Sequence, residues 1–343
     1  MFKKKGFEIQ FNWIFVLIAG TAILLFFTVI AVKQRSLSET SAKATVLKSV
    51  DAIITSASVS TDTTDQLTIP NSNIEVQCNS VSLGSGVSKS YQNLILFSPS
   101  LIKGDKIVWQ TMPFSAPFRA TNLLYMTGQQ VRYIIIGANA PNSLAGRVVK
   151  SLTSYLGKEF YQEYQHENIK NTNNYKVKFI FFDNLNIKDN NFPSSLVKMQ
   201  DSDVTAIKII GNEEKGNVEF YQKNSQNGKW NSKGSSPYFG KSSLIGAIYA
   251  DNKEMYECNM INAIKKLNVV NKIYTNRLGN LKIKKPECDS IYSKAELSLN
   301  AINSITQNIV ETNIITNEEL ASATSSLIGF NGEAQRSSCP LIY

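Results

Sequence analysis

From residue 11 to residue 32 the chain carries no charge, and only Asn12, Thr21 and Thr28 interrupt its apolar run. Wound as a helix at ~1.5 Å per residue, this stretch reaches ~33 Å, enough to cross a hydrocarbon core of about 30 Å. Lys3, Lys4 and Lys5 precede it, and Trp13 lies just inside its near end, where an amphipathic ring prefers the interface. A cleaved secretory signal would have a shorter apolar region followed by a small-residue cleavage site. Here Lys33-Gln34-Arg35 follows, so the expected element is an uncleaved transmembrane anchor with the lipid bilayer as its partner. No other stretch among the 343 residues is as long and apolar, which excludes a multi-span transporter.

Charge alone barely orients this anchor, because Lys33, Arg35, Lys43 and Lys48 nearly balance the three leading lysines and the amino terminus. The cysteines add a second criterion. Cys78, Cys258, Cys288 and Cys339 all lie beyond the apolar segment, with no CxxC spacing and only His166 as a further soft ligand, so a zinc site lacks its clustered ligands. Two disulfides in an oxidising exterior are one reading, and four buried thiols in a cytosolic domain the other. The 34 asparagines form no Asn-x-Ser/Thr acceptor, although Ser and Thr make up a sixth of the chain, and this favours the exterior. The expected topology is a cell-membrane protein with a cytoplasmic N-terminus and an extracytoplasmic head. Within that head the expected pairing is Cys258 with Cys288 and Cys78 with Cys339, provided the helix that starts near Cys258 is short or the chain runs back along it.

Past the membrane, Leu47, Val50, Ile54 and Ala57 recur at intervals of three and four, the period of an amphipathic helix. No Pro or Gly falls between Thr21 and Ser60, so one continuous helix over 11–58 is expected, with residues 33–60 as a stalk. This N-terminus resembles the class III signal and first helix of type IV pilin-like proteins: Lys3-Lys4-Lys5-Gly6 followed by Phe7 has the form of their basic leader ending in Gly. The resemblance covers residues 1–58 and implies processing between Gly6 and Phe7 and a helix that serves as both anchor and filament core. The family usually carries an acidic residue at the fifth mature position; here Phe11 stands there and Glu8 comes earlier.

Charged residues make up 18% of the chain and hydrophobic ones 43%, so disorder through excess charge is excluded. Residues 61–72 read as a polar link. Residues 61–128 read as mainly β, with Pro113 and Pro117 barring 112–118 from a central strand. In 129–252, apolar β-rich runs at 131–136, 177–182, 204–210 and 244–249 alternate with helical patterns such as Leu144, Val148, Leu152, Tyr155 and Leu156. That alternation predicts an α/β head with a mostly parallel sheet, with 218–221 as a hairpin partner. Residues 253–343 read as helical: Met255, Cys258, Ile261, Ile264 and Leu267 form one stripe, Cys288, Tyr292, Ala295, Leu299 and Ile302 a second after the break at Pro286, and a last helix ends before Gly329.

No catalytic or metal constellation emerges. GxGxxG, GxxxxGK[ST] and GxSxG are absent, and the sequence implies no cofactor. His166 sits in a charged, solvated context, and Asp183, Asp189, Asp201 and Asp203 lack EF-hand spacing. Ligands of parallel sheets bind beyond the carboxyl ends of strands, which makes Gly137, Asn139, Asn142 and Ser143 the candidate ligand loop. Lys265, Lys266, Lys272, Arg277, Lys282, Lys284 and Lys285 concentrate in one stretch. On an exterior domain this suits an anionic head group or acidic partner rather than nucleic acid. The leading expectation is a single-pass cell-surface protein whose non-enzymatic ectodomain binds other membrane or envelope proteins. The alternatives are a pilin-like filament or secretion-system subunit, and a membrane-tethered α/β enzyme with an unrecognised site.

Overall fold

The computed structural model describes residues 5–84, 87–92, 94–136, 143–148, 150, 160–163, 174–182, 187, 192–316 and 318–343, with backbone alone over 5–12, 58 and 160–163. Helix α1 runs unbroken over Lys5–Val59. Its first half is exposed on every side, from Trp13 to Val32, and is the one helix among the described residues long and apolar enough to cross a membrane. Thr21 and Thr28 return their hydroxyl protons to Leu17 O and Leu24 O, both at 2.7 Å, so neither hydroxyl proton is left unpaired. In the second half Val46, Val50, Ile53 and Ala57 are buried at helical spacing. Burying such a side chain stabilises by roughly 1.5–3 kcal/mol for the larger ones, so this half is fixed to the head by packing. Asn122 Nδ2 donates to Ala57 O at 3.0 Å and Ser60 O at 2.7 Å, satisfying carbonyls that the helix end leaves open.

The strands form two six-stranded sheets. The first contains β1 (Thr64–Gln77), β2 (Ser80–Leu83), β3 (Val87–Ser90), β4 (Leu96–Phe97), β5 (Leu101–Ser115) and β6 (Arg119–Gly128) in the order β3-β2-β1-β5-β6-β4. It is antiparallel except for the β4/β6 pair. The polar link expected over 61–72 is therefore mostly strand: β1 pairs with β5 from Thr64 onward, and Pro70 sits where the register shifts between Thr68 and Ser72. β5 is an inner strand that includes Pro113. The proline lies beyond Gln110, the last β5 residue paired to β1, where β5 has a neighbour on one side only and no ladder N–H is missed. The Ala116–Pro117 bond in the following turn is cis.

The second sheet contains β7 (Val131–Ile136), β8 (Phe160–Glu163), β9 (Lys176–Phe182), β10 (Val204–Gly211), β11 (Lys215–Asn224) and β12 (Lys229–Phe239) in the order β12-β11-β10-β9-β7-β8. Strands β8, β7, β9 and β10 are parallel; β10, β11 and β12 are antiparallel. The sheets are mixed, which corrects the expectation of a mostly parallel head. Three of the four expected strands are neighbours, and 218–221 does pair with β10 through β11. The fourth, 244–249, is part of helix α2 (Gly240–Tyr249). Residues 242–249 are all buried, and α2 touches β5 and β6 of one sheet and β11 and β12 of the other. A helix apolar on every side shows no amphipathic period, so in sequence it passes for a buried strand. Gly246 lets it approach: a Cβ there would stand 2.9 Å from the Phe97 ring.

Helices α3 (Lys253–Lys284), α4 (Asp289–Thr312) and α5 (Glu318–Arg336) complete the chain. The expected stripes on α3 and α4 are the faces they bury, apart from the half-buried Cys258. Helix α5 continues through Gly329 and Gly332 rather than ending there, since its later turns bury Ala334. Several asparagines act as interior connectors. Asn259 Oδ1 accepts from Leu96 N at 2.7 Å, Asn262 Nδ2 donates to Leu94 O at 2.8 Å, and Asn271 Nδ2 donates to Leu299 O at 2.8 Å.

The disulfides join Cys78 to Cys258 and Cys288 to Cys339, with Cα atoms 6.2 and 6.1 Å apart. The expected pairing is overturned because α3 runs without interruption to Lys284. At 1.5 Å per residue that carries Cys288 roughly 40 Å from Cys258. The first bond fastens α3 to the β1–β2 turn, and the second holds the chain end against the α3–α4 corner.

Candidate functional site

Strand β9 reads Lys-Val-Lys-Phe-Ile-Phe-Phe and is buried along its whole length. Successive side chains of a strand alternate between faces. Val177, Phe179 and Phe181 therefore enter the smaller core with Trp230 and Leu196, while Lys176 and Lys178 point with Ile180 toward α2. Buried lysines need partners, and the corner between α2 and α3 supplies them. Lys178 Nζ donates to Ala247 O at 2.9 Å and to Ala250 O, carbonyls at the end of α2 that carry partial negative charge. Lys176 Nζ lies 2.5 Å from Asp251 Oδ1, with both side chains largely buried. Asp251 Oδ2 in turn accepts from Ser100 N at 3.2 Å and from the Ser100 hydroxyl. One carboxylate thus joins the β4–β5 connection of the first sheet to β9 of the second. Tyr175 adds a tie from the same side, donating to Leu101 O at 2.8 Å and accepting from Lys103 N at 3.2 Å.

Burial pulls the Lys178 amine down to about 7; the Asp251 carboxylate pushes it up and Lys176 pushes it down further. A lysine that titrates near neutrality has the acidity of a general base or amine nucleophile. Lys178 is 4% exposed and directs its protons at helix carbonyls, so its geometry is that of a clamp. Lys223 is a second clamp: its Nζ donates to Leu196 O and Val197 O, each at 3.0 Å, and to Met199 O, using all three protons.

Beside the Asp251 bridge lies a cleft of about 220 Å³ bounded by β10, β11 and β12 and by the α2–α3 corner. Thr205 sits in register with Lys178 on one side and Gln222 on the other. Its hydroxyl is buried and has no hydrogen-bond partner among the described residues.

The residues singled out from sequence fall elsewhere. Gly137, Asn139, Asn142, His166, Asp183 and Asp189 lie outside the described residues, and the polar cluster is at the opposite, amino end of the parallel strands. Ser143 accepts from Gly146 N at 3.1 Å, the bond of a helix N-cap. Gly6 and Phe7 lie in the first turns of α1. Asp201 and Asp203 flank a 3-10 turn, with Asp201 bonded to Ser225 and 3.5 Å from Lys223. Three members of the basic stretch tie the α3–α4 corner and the chain end: Lys282 pairs with Glu296 at 2.9 Å and Asp289 at 3.6 Å, Lys285 with Glu287 at 3.5 Å, and Arg277 donates to Leu341 O at 3.2 Å. Among the described residues no group of acidic, His and Cys side chains is placed to hold a metal. The sequence signal for the Asp251 bridge was the lysine pair at i and i+2 inside an otherwise apolar strand.

No family model, no curated protein and no solved structure matches this chain.

Proposed function

We propose that the protein is a single-pass membrane protein that holds a disulfide-clasped α/β head on the oxidising side of a bilayer, where the head engages other membrane or envelope proteins. The observation that carries this is the division of α1: none of the twenty successive, mainly apolar positions from Trp13 to Val32 is buried and all but Ala19 are exposed, while Val46, Val50, Ile53 and Ala57 are built into the head. Water does not support an exposed apolar surface of that length on a monomer, and lipid does. The two disulfides agree with an oxidising compartment. Residues 33–38 lie between anchor and head as exposed helix, since Glu39, Ala42 and Lys43 already line a groove with Pro70 and Gly84 of the head; at 1.5 Å per residue this places the head ~10 Å from the bilayer. Protease added to intact cells removes the head, and carbonate washing leaves the remaining fragment in the membrane. A head protected until lysis refutes the orientation, and release by carbonate refutes the anchor.

A second reading, a pilin-like subunit, is favoured by the continuity of α1. A single helix that is apolar and free at one end and packed on a β-sheet at the other is the shape that the resemblance at Gly6 and Phe7 implies. Here the apolar half packs against copies of itself in a polymer after leaving the bilayer. Intact mass of membrane-extracted protein separates the two: a chain starting at Phe7 supports the subunit, and a chain retaining Lys3 to Gly6 supports the plain anchor.

A further inference from the structure

We propose that the cleft between Thr205, Gln222 and the α2–α3 corner binds a single sugar ring through side-chain hydroxyls and amides. Its volume of about 220 Å³ lies below the ~300–1,000 Å³ of sites for drug-sized molecules and suits one ring. Thr205 is 9% exposed and its hydroxyl is unanswered, although buried hydroxyls in folded proteins are nearly always paired. Around it Gln222 and Ser202 line the cleft with no side-chain hydrogen bond among the described residues, and Asn252 uses only Oδ1, accepting from Met255 N at 2.8 Å. Each of these groups, like Thr205, either donates and accepts or sits beside one that does.

That mixture matches a polyol, whose every hydroxyl does both. A bare anion offers acceptors alone and would face the Asp251 carboxylate. A bare cation would face Lys233 at the rim and the two lysines behind Asp251. Asp251 itself is already saturated by Lys176 and Ser100, so the neutral groups do the recognition. Phe220 lines the cleft as well and offers an apolar edge to the C–H face of a ring. Lys233 is the one charge among the lining residues without a described partner, and it adds one more donor for a ring hydroxyl at the rim.

The test uses the full chain in a detergent without a sugar head group. Saturation-transfer NMR and titration are run with glucose, galactose, mannose and glucuronate, with acetate as competitor. At least one pyranose binds, and Thr205→Val weakens it by roughly three- to tenfold, the loss of one hydrogen bond, without lowering the thermal midpoint. Gln222→Leu weakens the same ligand. The proposal is overturned if none of the four sugars shows saturation transfer, if both variants bind as the wild type does, or if acetate displaces glucuronate completely, which would make this a carboxylate site.

Discussion

The head is held together by two kinds of junction. At one, Cys78–Cys258 fixes α3 to the first sheet and Cys288–Cys339 fixes the chain end to the helical corner. At the other, Lys176, Asp251 and Ser100 join the two sheets without a covalent bond. A disulfide acts largely by restricting the unfolded chain, on one widely used account. A buried ion pair acts in the folded state, and its attraction must offset the desolvation of both charges. The first junction therefore responds to reductant and the second to loss of one partner or to pH.

The largest effect is expected at the ionic junction. Asp251→Ala leaves Lys176 and Lys178 buried beside each other with no carboxylate, and removal of one partner of a buried pair costs about 3–5 kcal/mol. Thermal or denaturant unfolding of the full chain in detergent should show it. The paired change Lys176→Met with Asp251→Leu should recover most of that loss. If the double variant is as unstable as Asp251→Ala, the bridge contributes more than the mutual neutralisation of two charges.

Next comes the covalent junction. Replacing Cys288 and Cys339 together by Ser opens a loop whose ends are 51 residues apart in sequence, worth roughly 2–4 kcal/mol. Reductant should lower the wild-type midpoint, and should lower that of the variant less, because only Cys78–Cys258 is left to reduce. Equal responses in the two proteins would show that the Cys288–Cys339 bond adds nothing to stability.

The two junctions also differ in how far they could be read from the sequence. Four cysteines leave two disulfides or four buried thiols open, and the pairing depends on the length of α3, because the stripe from Met255 to Leu267 does not say that the helix continues to Lys284. Val131 to Ile136, and the cores of β9 and β10, were legible because β-branched and aromatic residues cluster between turn signals. The first half of β1 was hidden by its polar, exposed face and Pro70, since its strand character comes from pairing with β5, whereas the apolar run from Ile74 onward was legible. Leu244 to Tyr249 was misread because burial on all sides erases helical period. The lysines of β9 went unread, because the apolar run begins at Val177, which leaves Lys176 outside the expected strand and Lys178 as a single exception. Their partner Asp251 stands 73 residues beyond Lys178 and approaches only through the packing of α2, which no local pattern encodes.

A third, smaller effect separates the junctions by pH. Lys178 has its folded pKa lowered from 10.5 to about 7. Above pH 7 the folded state gives up a proton that the unfolded chain keeps until about 10.5, so the unfolded state binds more protons and stability rises with pH across that window. Below pH 7 both states are protonated and this contribution is flat. Burial raises the pKa of Tyr125, Tyr249 and Tyr256, which reverses the slope above pH 10, so unfolding should be followed between pH 7 and 9. Lys178→Met should flatten the rise while leaving the response to reductant unchanged. A slope that survives in Lys178→Met would assign it to another group.

The smallest effect is expected two residues past the bridge, where charge pairing meets solvent. Lys253 Nζ lies 2.9 Å from Glu257 Oε2, one turn along α3, with both side chains about a quarter exposed. An i,i+4 pair of this kind is worth about 0.3–0.5 kcal/mol and weakens with salt. The Lys253 stem does a second job: its Cδ comes within 3.1 Å of where a Cβ on Gly234 would stand, so the methylenes cover β12 while the ammonium stays wet. Lys253→Ala therefore removes packing as well as charge and should cost more than Glu257→Ala. A double-mutant cycle isolates the pair, and its coupling should fall toward zero in high salt. The coupling between Lys176 and Asp251, measured the same way, should persist, because burial keeps ions away from it. If both couplings vanish together, solvent reaches the Lys176–Asp251 bridge, and its junction is no more protected than the helix surface.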